Sequence, residues 1–73
     1  MEFVISATFP ESGNTYYLKR TGQFDDVLER AWRFEDPVEA DKVLKQQQTL
    51  RTWSRLVHGI RRTVVPTYKL LCV

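Results

Sequence analysis

Few residues in this chain have side chains that could carry out catalysis. Its single histidine, His58, lies among basic residues, so it would need a carboxylate from the distant N-terminal half to act as a general base. Asp25 and Asp26 are adjacent, and their side chains point in different directions on a helix or a strand, which argues against a shared proton. We read His58 as a solvated or partner-facing imidazole and the two aspartates as acidic surface.

The chain also has few residues that could bind a metal or a cofactor or carry out redox chemistry. Cys72 is the single cysteine, so the chain has neither an internal disulfide nor the cysteine spacing of a zinc site or a redox pair. We read it as an apolar strand residue in a reducing compartment. Gly13, Gly22 and Gly59 are scattered singly, whereas a phosphate-binding loop clusters its glycines. The sequence predicts a non-enzymatic protein without a cofactor or a metal.

The charged residues are sorted along the chain. Up to Asp41 there are nine carboxylates and four cations, a net charge of −5, whereas the remainder has seven cations and no carboxylate, a net charge of +7. Such a field acts on molecules that approach from solution. We expect the basic part to meet nucleic-acid phosphates or an acidic protein surface, with Trp53 stacking on a base or packing at the interface; its residues are Arg51, Trp53, Arg55, Arg61, Arg62 and Lys69. In the alternative interpretation, these cations pair with the acidic half of the same molecule.

The acidic half contains a second candidate binding surface. Tyr16 and Tyr17 are adjacent, so a strand would direct them to opposite faces and leave one of them outside the core. An exposed aromatic ring among carboxylates suits a basic protein surface, because the ring anchors the partner and the charges steer it. The predicted protein-binding residues are Tyr16, Tyr17, Phe24, Asp25, Asp26 and Glu29.

A small core must position these residues, because a chain of 73 residues forms one domain that buries only about 60% of its unfolded surface. Apolar residues at every second position from Phe3 to Phe9 predict a half-buried strand, which Pro10 ends. Turn residues follow, and β-type residues resume at Thr15. The sequence therefore predicts an antiparallel hairpin of residues 2–9 and 15–20.

The clearest helix signal lies in the middle of the chain. Asp36 suits the N-cap, Pro37 suits the first helical position, and Glu39 follows the cap by three residues. A helix is predicted to start at Pro37, with Ala40 and Leu44 on its buried face.

Two other segments each allow two interpretations. Residues 24–31 have the apolar spacing of a helix, while residues 31–34 also fit a short strand. Beyond Gln48 the helical spacing continues to Ile60, with Gly59 as the closing residue, whereas residues 63–65 and 67–73 favour strands that Pro66 either splits or places at a sheet edge. The predicted fold class is α+β, a small antiparallel sheet with one helix. Its basic region, residues 49–73, either adds a strand or stays mobile.

Three segments carry a resemblance to a known family: MEFVISATFPESGNTYYLKRTGQF, AWRFEDPVEADKVL and RTWSRLVHGIRRTVV. Over nearly its full length the chain resembles small RNA-polymerase-binding transcription regulators of lytic phages that infect plant-pathogenic bacteria. The resemblance implies binding to the largest catalytic subunit of host RNA polymerase near its N-terminus. It also implies inhibition of promoter initiation and antitermination, with nascent RNA nearby. It assigns no individual contact residues.

These expectations place the protein in the host cell cytoplasm as a monomer. Its apolar runs, such as Leu70 to Val73, are far shorter than the roughly 20 residues that span a bilayer, and Met1 to Phe3 lack the basic start of a secretory signal. Two other functions stay open. One is a nucleic-acid-binding module that uses the basic half, and the other is an inhibitor of another host enzyme, such as a nuclease, in which the acidic half mimics phosphate.

Overall fold

The computed structural model describes the backbone of residues 1–50, 53–57 and 59–73, and the side chains of these except residues 50 and 54–57. This part of the chain contains one α-helix, α1 (Pro37–Leu50), and a short 3-10 helix at Leu28–Arg30. Its strands are β1 (Phe3–Thr8), β2 (Thr15–Leu18), β3 (Phe24–Asp25), β4 (Trp53–Val57), β5 (Ile60–Val64) and β6 (Thr67–Cys72).

Four strands form the main sheet in the order β3-β2-β1-β6. The predicted N-terminal hairpin is confirmed, because β1 pairs antiparallel with β2, with Ala7 opposite Tyr16. In its turn, the Phe9 amide donates to the Asn14 carbonyl at 2.9 Å, and Gly13 has φ +73°, a conformation that favours glycine. The C-terminal segment adds a strand, since β6 pairs with the whole of β1 and its Tyr68 also lies opposite Ala7.

The core lies on one face of this sheet. Ile5, Leu18, Phe34, Ala40 and Leu44 form a buried cluster that joins β1 and β2 to α1. The expectation that β1 is half-buried is wrong, because its second face is covered too: Val4 is 0% and Ser6 is 2% exposed. The Ser6 hydroxyl donates to the Lys69 carbonyl at 3.3 Å, so this buried polar group is satisfied.

The predicted start of the helix is confirmed. The Val38 amide donates to Oδ1 of Asp36 at 2.9 Å, as expected of an N-cap residue followed by Pro37. Ala40 and Leu44 are buried against the sheet. In the part of the chain that the structure describes, no helix has the length and apolar character needed to cross a membrane.

The prediction that the helix continues toward Gly59 is wrong. Residues 53–57 and 60–64 instead form a separate antiparallel hairpin, in which Trp53 lies opposite Val64 and Val57 opposite Ile60. The β-branched and aromatic residues of these segments fit strands, and Gly59 has φ +78° between them. Pro66 splits β5 from β6, which is one of the two roles predicted for it.

The ambiguous segment between the two hairpins has little regular structure. Phe24 and Asp25 form the two-residue β3, and the 3-10 helix follows. Phe34 then bridges to Phe3, with N–O distances of 2.7 and 2.8 Å between their backbones. Through this bridge the segment lies on the side of β1 opposite β6. Two of its residues, Ala31 and Phe34, are buried in the core.

The molecule is elongated, with extents of 43 × 22 × 20 Å. We call the four-stranded sheet with α1 the body, and we call β4 and β5 together the basic hairpin. Within the described residues, the basic hairpin forms no ladder with the main sheet. It is therefore held to the body by side chains and by the chain segments that flank it.

Candidate functional site

Five aromatic side chains meet where the basic hairpin joins the body. The Trp53 ring lies edge-to-face on Phe9 and Phe24, with centroids 4.9 and 5.1 Å apart, and 6.4 Å from the centroid of Tyr16. Phe24 is also in ring contact with Tyr68 at 6.3 Å. We call these residues the aromatic cluster. Edge-to-face pairs of this kind stabilise by about 0.5–1.5 kcal/mol beyond the burial of their area.

Trp53 is held in this cluster by a hydrogen bond as well as by ring contacts. Its indole Nε1 donates to Oη of Tyr68 at 2.8 Å. Tyr68 comes from β6, so the bond ties the first residue of β4 to the edge strand of the body. The predicted stacking of Trp53 on a nucleic-acid base would require its ring to leave these contacts.

The residues predicted to bind protein fall on two faces of the body. Ala7 pairs with Tyr16 and Leu18 with Phe24, which places Tyr16 and Phe24 on the core face within the aromatic cluster. Tyr17 lies opposite Asp25, so both belong to the second face of the sheet. Asp26 and Glu29 lie in the following segment and are exposed. The structure thus joins Tyr17 and Asp25 but separates them from the aromatic cluster.

Asp25 is engaged within the body. Its Oδ1 accepts a hydrogen bond from the Val27 amide at 2.9 Å, and Oδ2 lies 3.5 Å from Nη1 of Arg30 and 3.8 Å from Nζ of Lys19. The backbone hydrogen bond from Val27 is the main reason that the pKa of Asp25 is lowered, and the Arg30 and Lys19 charges act in the same direction against an opposing effect of burial. Asp25 therefore organises the turn after β3 more than it offers a free charge.

Three exposed cations that were predicted to form the basic surface lie on two strands. Arg61 and Arg62 are exposed residues of β5, and Lys69 is an exposed residue of β6. Arg55 occupies the position of β4 directly opposite Arg62. Arg51 and His58 lie outside the described residues, as does the side chain of Arg55.

Two of these cations are not neutralised by a carboxylate of the same molecule within the described part of the chain. Among the described residues, neither Arg62 nor Lys69 makes an ion pair. Ion pairs of the acidic half are made with cations of the body, such as Arg33 with Glu2 at 3.9 Å and Lys45 with Asp41 at 3.0 Å. The charge separation in the sequence thus persists at Arg62 and Lys69 in the folded chain.

Sequence reasoning missed a hollow of mixed charge around Trp32. The guanidinium carbon of Arg20 lies 5.8 Å from the centroid of the Trp32 ring, a cation–π contact. Arg30, Arg33 and Glu29 also line this hollow, whose volume is about 590 Å³. No spacing rule connects Arg20 with Trp32, because the contact depends on how the segment after β3 folds back over β2.

A groove of about 510 Å³ lies between the turn of the N-terminal hairpin and the basic hairpin. It is lined by residues 9–12, Asn14, Tyr16, Trp53 and residues 63–65. The aromatic cluster thus reaches solvent along this groove. Val65, at one side of the groove, is 77% exposed.

No group of three or more His, Cys, Asp or Glu side chains among the described residues could hold a metal ion. Cys72 lies in β6, as predicted, but its side chain is exposed rather than packed. The described residues also include half-buried aromatic rings and exposed guanidinium groups and carboxylates.

No family model, no curated protein and no solved structure matches the chain. The features that bear on function are the exposed cations of β5 and β6, the exposed carboxylates after β3, and the groove beside the aromatic cluster.

Proposed function

We propose that this protein is a phage transcription regulator that binds host RNA polymerase, inhibits promoter initiation and promotes antitermination. The resemblance of its three sequence segments to such regulators supports the proposal. The observation that carries it here is the separation of charge in a small binding domain, with Arg62 and Lys69 unpaired among the described residues while Asp25 pairs within the body. A chain with two oppositely charged regions can contact two different surfaces at once.

In this proposal the body makes the protein contact. The exposed carboxylates Asp26 and Glu29, next to Tyr17 and Asp25 on the second face, meet a basic surface of the largest catalytic subunit near its N-terminus. Tyr17 is half-buried and supplies aromatic area, while the charges guide the approach. The basic hairpin then lies toward the nascent RNA.

Regulation requires that the protein distinguish between states of the polymerase. A ligand shifts an equilibrium only by the difference between its affinities for the two states. The proposed regulator therefore binds the elongating enzyme more tightly than the promoter complex. Bound beside the transcript, the protein would also bias the enzyme against the RNA hairpin that drives termination.

The proposal is tested by pull-down with the tagged protein from host lysate and then with purified polymerase. We expect recovery of the largest subunit, and we expect the double variant Asp26→Lys, Glu29→Lys to lose it. A matched control, Glu39→Lys, reverses an exposed carboxylate on α1 and should retain binding. Recovery of no polymerase subunit from lysate, or binding that the double variant leaves unchanged, would overturn the proposal.

Phosphate mimicry by the acidic half is favoured less. Such an inhibitor would need several free carboxylates at phosphate-like spacing, but Asp25 already lies near both Lys19 and Arg30. The nucleic-acid-binding alternative does have a specific observation in its favour, namely the cations of the basic hairpin.

A further inference from the structure

The two edge strands of the main sheet differ in length. At one edge β3 has two residues, whereas β6, at the other edge, has six. Proteins protect edge strands from pairing with other chains by keeping them short or by placing bulges, prolines or several charges in them. β6 contains one charged residue, Lys69, and no proline, and it pairs with β1 over its whole length without a bulge. Its outer edge therefore lacks the usual protection.

The backbone groups at this outer edge can be assigned from the hydrogen bonds at the inner one. The Val73 amide donates to the Glu2 carbonyl at 2.9 Å, and this pair continues the register of β6 on β1. In an antiparallel ladder, residues that bond to one neighbouring strand alternate with residues whose N–H and C=O groups point away from it. The odd-numbered residues of β6 therefore bond to β1. Those that direct their backbone groups outward are Tyr68, Leu70 and Cys72. In the part of the chain that the structure describes, no further strand pairs with them.

We propose that β6 pairs antiparallel with β6 of a second copy of this chain, so that two four-stranded sheets form one continuous sheet. The twofold axis passes between the two Leu70 residues, which lie opposite each other, and Tyr68 of each copy lies opposite Cys72 of the other. These are hydrogen-bonded pairs, so every outward N–H and C=O group of β6 gains a partner. The dimer takes the place of the monomer expected from the sequence.

Charge favours this register over the neighbouring ones. A shift that places Tyr68 opposite Leu70 would bring Lys69 opposite Lys69 of the second copy, and like charges directly opposite destabilise an antiparallel pair. The reverse shift, which places Leu70 opposite Cys72, would leave Tyr68 beyond the end of the other strand. In the proposed register, Lys69 lies opposite Leu71, whose side chain can pack against the aliphatic stem of the lysine.

The short edge explains why the association would stop at two copies. Pairing of β6 with β3 of another copy would use only Phe24 and Asp25, and most of β6 would stay open. Two β6 strands instead occupy both long edges, which closes the assembly as a symmetric dimer. Residues directly opposite point to the same face, so the helices α1, which pack on β1 and β6, lie on one face of the shared sheet. A second copy is thus complementary to β6 in backbone groups and in charge.

The test measures self-association of the full chain by sedimentation equilibrium in the presence of a reducing agent. We expect the average mass to rise with protein concentration from that of one chain toward that of two and no further. Cys72→Pro should raise the dissociation constant of the dimer about tenfold or more, because proline lacks the outward N–H and occurs twice in each dimer. The ladder with β1 does not use this N–H, so the body should keep its fold. Cys72→Ser is the matched control, which keeps the N–H and should dimerise like the unmodified chain.

The register is tested by NMR on a mixture of ¹³C-labelled and unlabelled chains. Pairs without hydrogen bonds bring their Cα atoms to about 4.5 Å, so we expect an intermolecular contact between the Hα atoms of Lys69 and Leu71. Amide exchange of β1 and β2 should be the same in both Cys72 variants. The proposal would be overturned by a chain that stays monomeric, by association that Cys72→Pro leaves unchanged, or by a contact of Lys69 with itself.

The dimer proposal does not depend on polymerase binding, and the two can fail separately. Asp26→Lys with Glu29→Lys changes residues outside β6 and should leave dimerisation unchanged. A chain that is monomeric alone and pairs β6 only with a strand of another protein would also overturn the dimer proposal, while polymerase binding would be unaffected by that result.

Discussion

At the scale of single residues, neighbouring side chains of the same chemical type have different structural roles. Asp25 and Asp26 are adjacent carboxylates, yet Asp25 accepts the Val27 amide and pairs with two cations, whereas Asp26 is exposed. Tyr16 and Tyr17 are divided in the same way, because neighbouring strand residues point to opposite faces. Tyr16 joins the aromatic cluster, and Tyr17 faces the other side.

The role of Asp25 gives a prediction about pH. Its folded-state pKa is lowered, mainly by the hydrogen bond from Val27, so the carboxylate stabilises the fold above the unfolded pKa of about 3.9. This contribution is lost as the pH falls through the lower folded-state pKa. We expect Asp25→Asn to lower Tm at neutral pH and to lose this deficit as the pH falls through the lowered folded-state pKa of Asp25.

The measurement is thermal unfolding by circular dichroism across the acidic range. Glu29→Gln is the matched control, because Glu29 is exposed and makes no ion pair with any residue in the described ranges. Its Tm difference should stay small at every pH. A deficit for Asp25→Asn that is independent of pH would contradict the assigned role of the carboxylate.

At the scale of elements, the two hairpins differ in how they are stabilised. The N-terminal hairpin is extended on both sides, by β3 and by β6, and packs against α1. The basic hairpin, as far as the structure describes it, pairs only its own two strands. Its turn conformation therefore accounts for a larger share of its stability, and Gly59 has φ +78° with no atom within 4 Å of an added Cβ.

A substitution at Gly59 should consequently act through backbone conformation and not through a clash. We expect Gly59→Ala to cost about 1–2 kcal/mol, because alanine is strained at positive φ, whereas Gly59→Asn should cost less because asparagine tolerates this region. The effect should appear as faster amide exchange in β5, with β1 and β2 unchanged. Equal exchange in the two variants would argue against this turn geometry.

At the scale of the whole molecule, the compact body carries the basic hairpin, whose charge differs from that of the acidic half. The two parts meet at the aromatic cluster, where Trp53 contacts rings from β3 and from the end of β1. The extent of 43 Å along the longest axis, against 20 and 22 Å across, follows from this arrangement. The acidic carboxylates and the exposed cation Arg62 therefore lie on different parts of the molecule.

Loss of the Trp53 side chain should unfold the basic hairpin while the body stays folded. Trp53→Ala would cost about 3–5 kcal/mol for a fully buried ring and less for this half-buried one. Tyr68→Phe is a milder matched variant that removes only the 2.8 Å hydrogen bond, worth about 0.5–1.5 kcal/mol.

Hydrogen exchange followed by NMR distinguishes the two parts. We expect protection in β4 and β5 to fall sharply in Trp53→Ala and slightly in Tyr68→Phe, while β1 and α1 stay protected, because an isolated two-stranded hairpin is marginal. A uniform loss of amide protection over the whole chain would instead mean that the body and the basic hairpin unfold as one unit.

Local signals were sufficient to predict several parts of the fold. Alternation in residues 3–9, the Asp36–Pro37 helix start and the break at Pro66 each depend on neighbours a few positions away, so they could be read directly from the sequence. The division of charge at Asp41 is likewise a property of the sequence. The predicted helix continues to Leu50, but its extension over residues 53–57 and Ile60 is wrong, because the same apolar spacing fits a strand once Trp53 has a surface to pack on.

The remaining features depend on contacts between residues far apart in the chain. Pairing of β6 with β1, the hydrogen bond from Trp53 to Tyr68, and the pairing of Asp25 with Arg30 and Lys19 all required the folded arrangement. No local preference encodes such contacts, because they form only when burial of the core brings the strands together. The sequence by itself thus determined the charges and the early elements. The tertiary structure decided which of the charges are paired within the body and that Arg62 and Lys69, among the residues described, remain available for a partner.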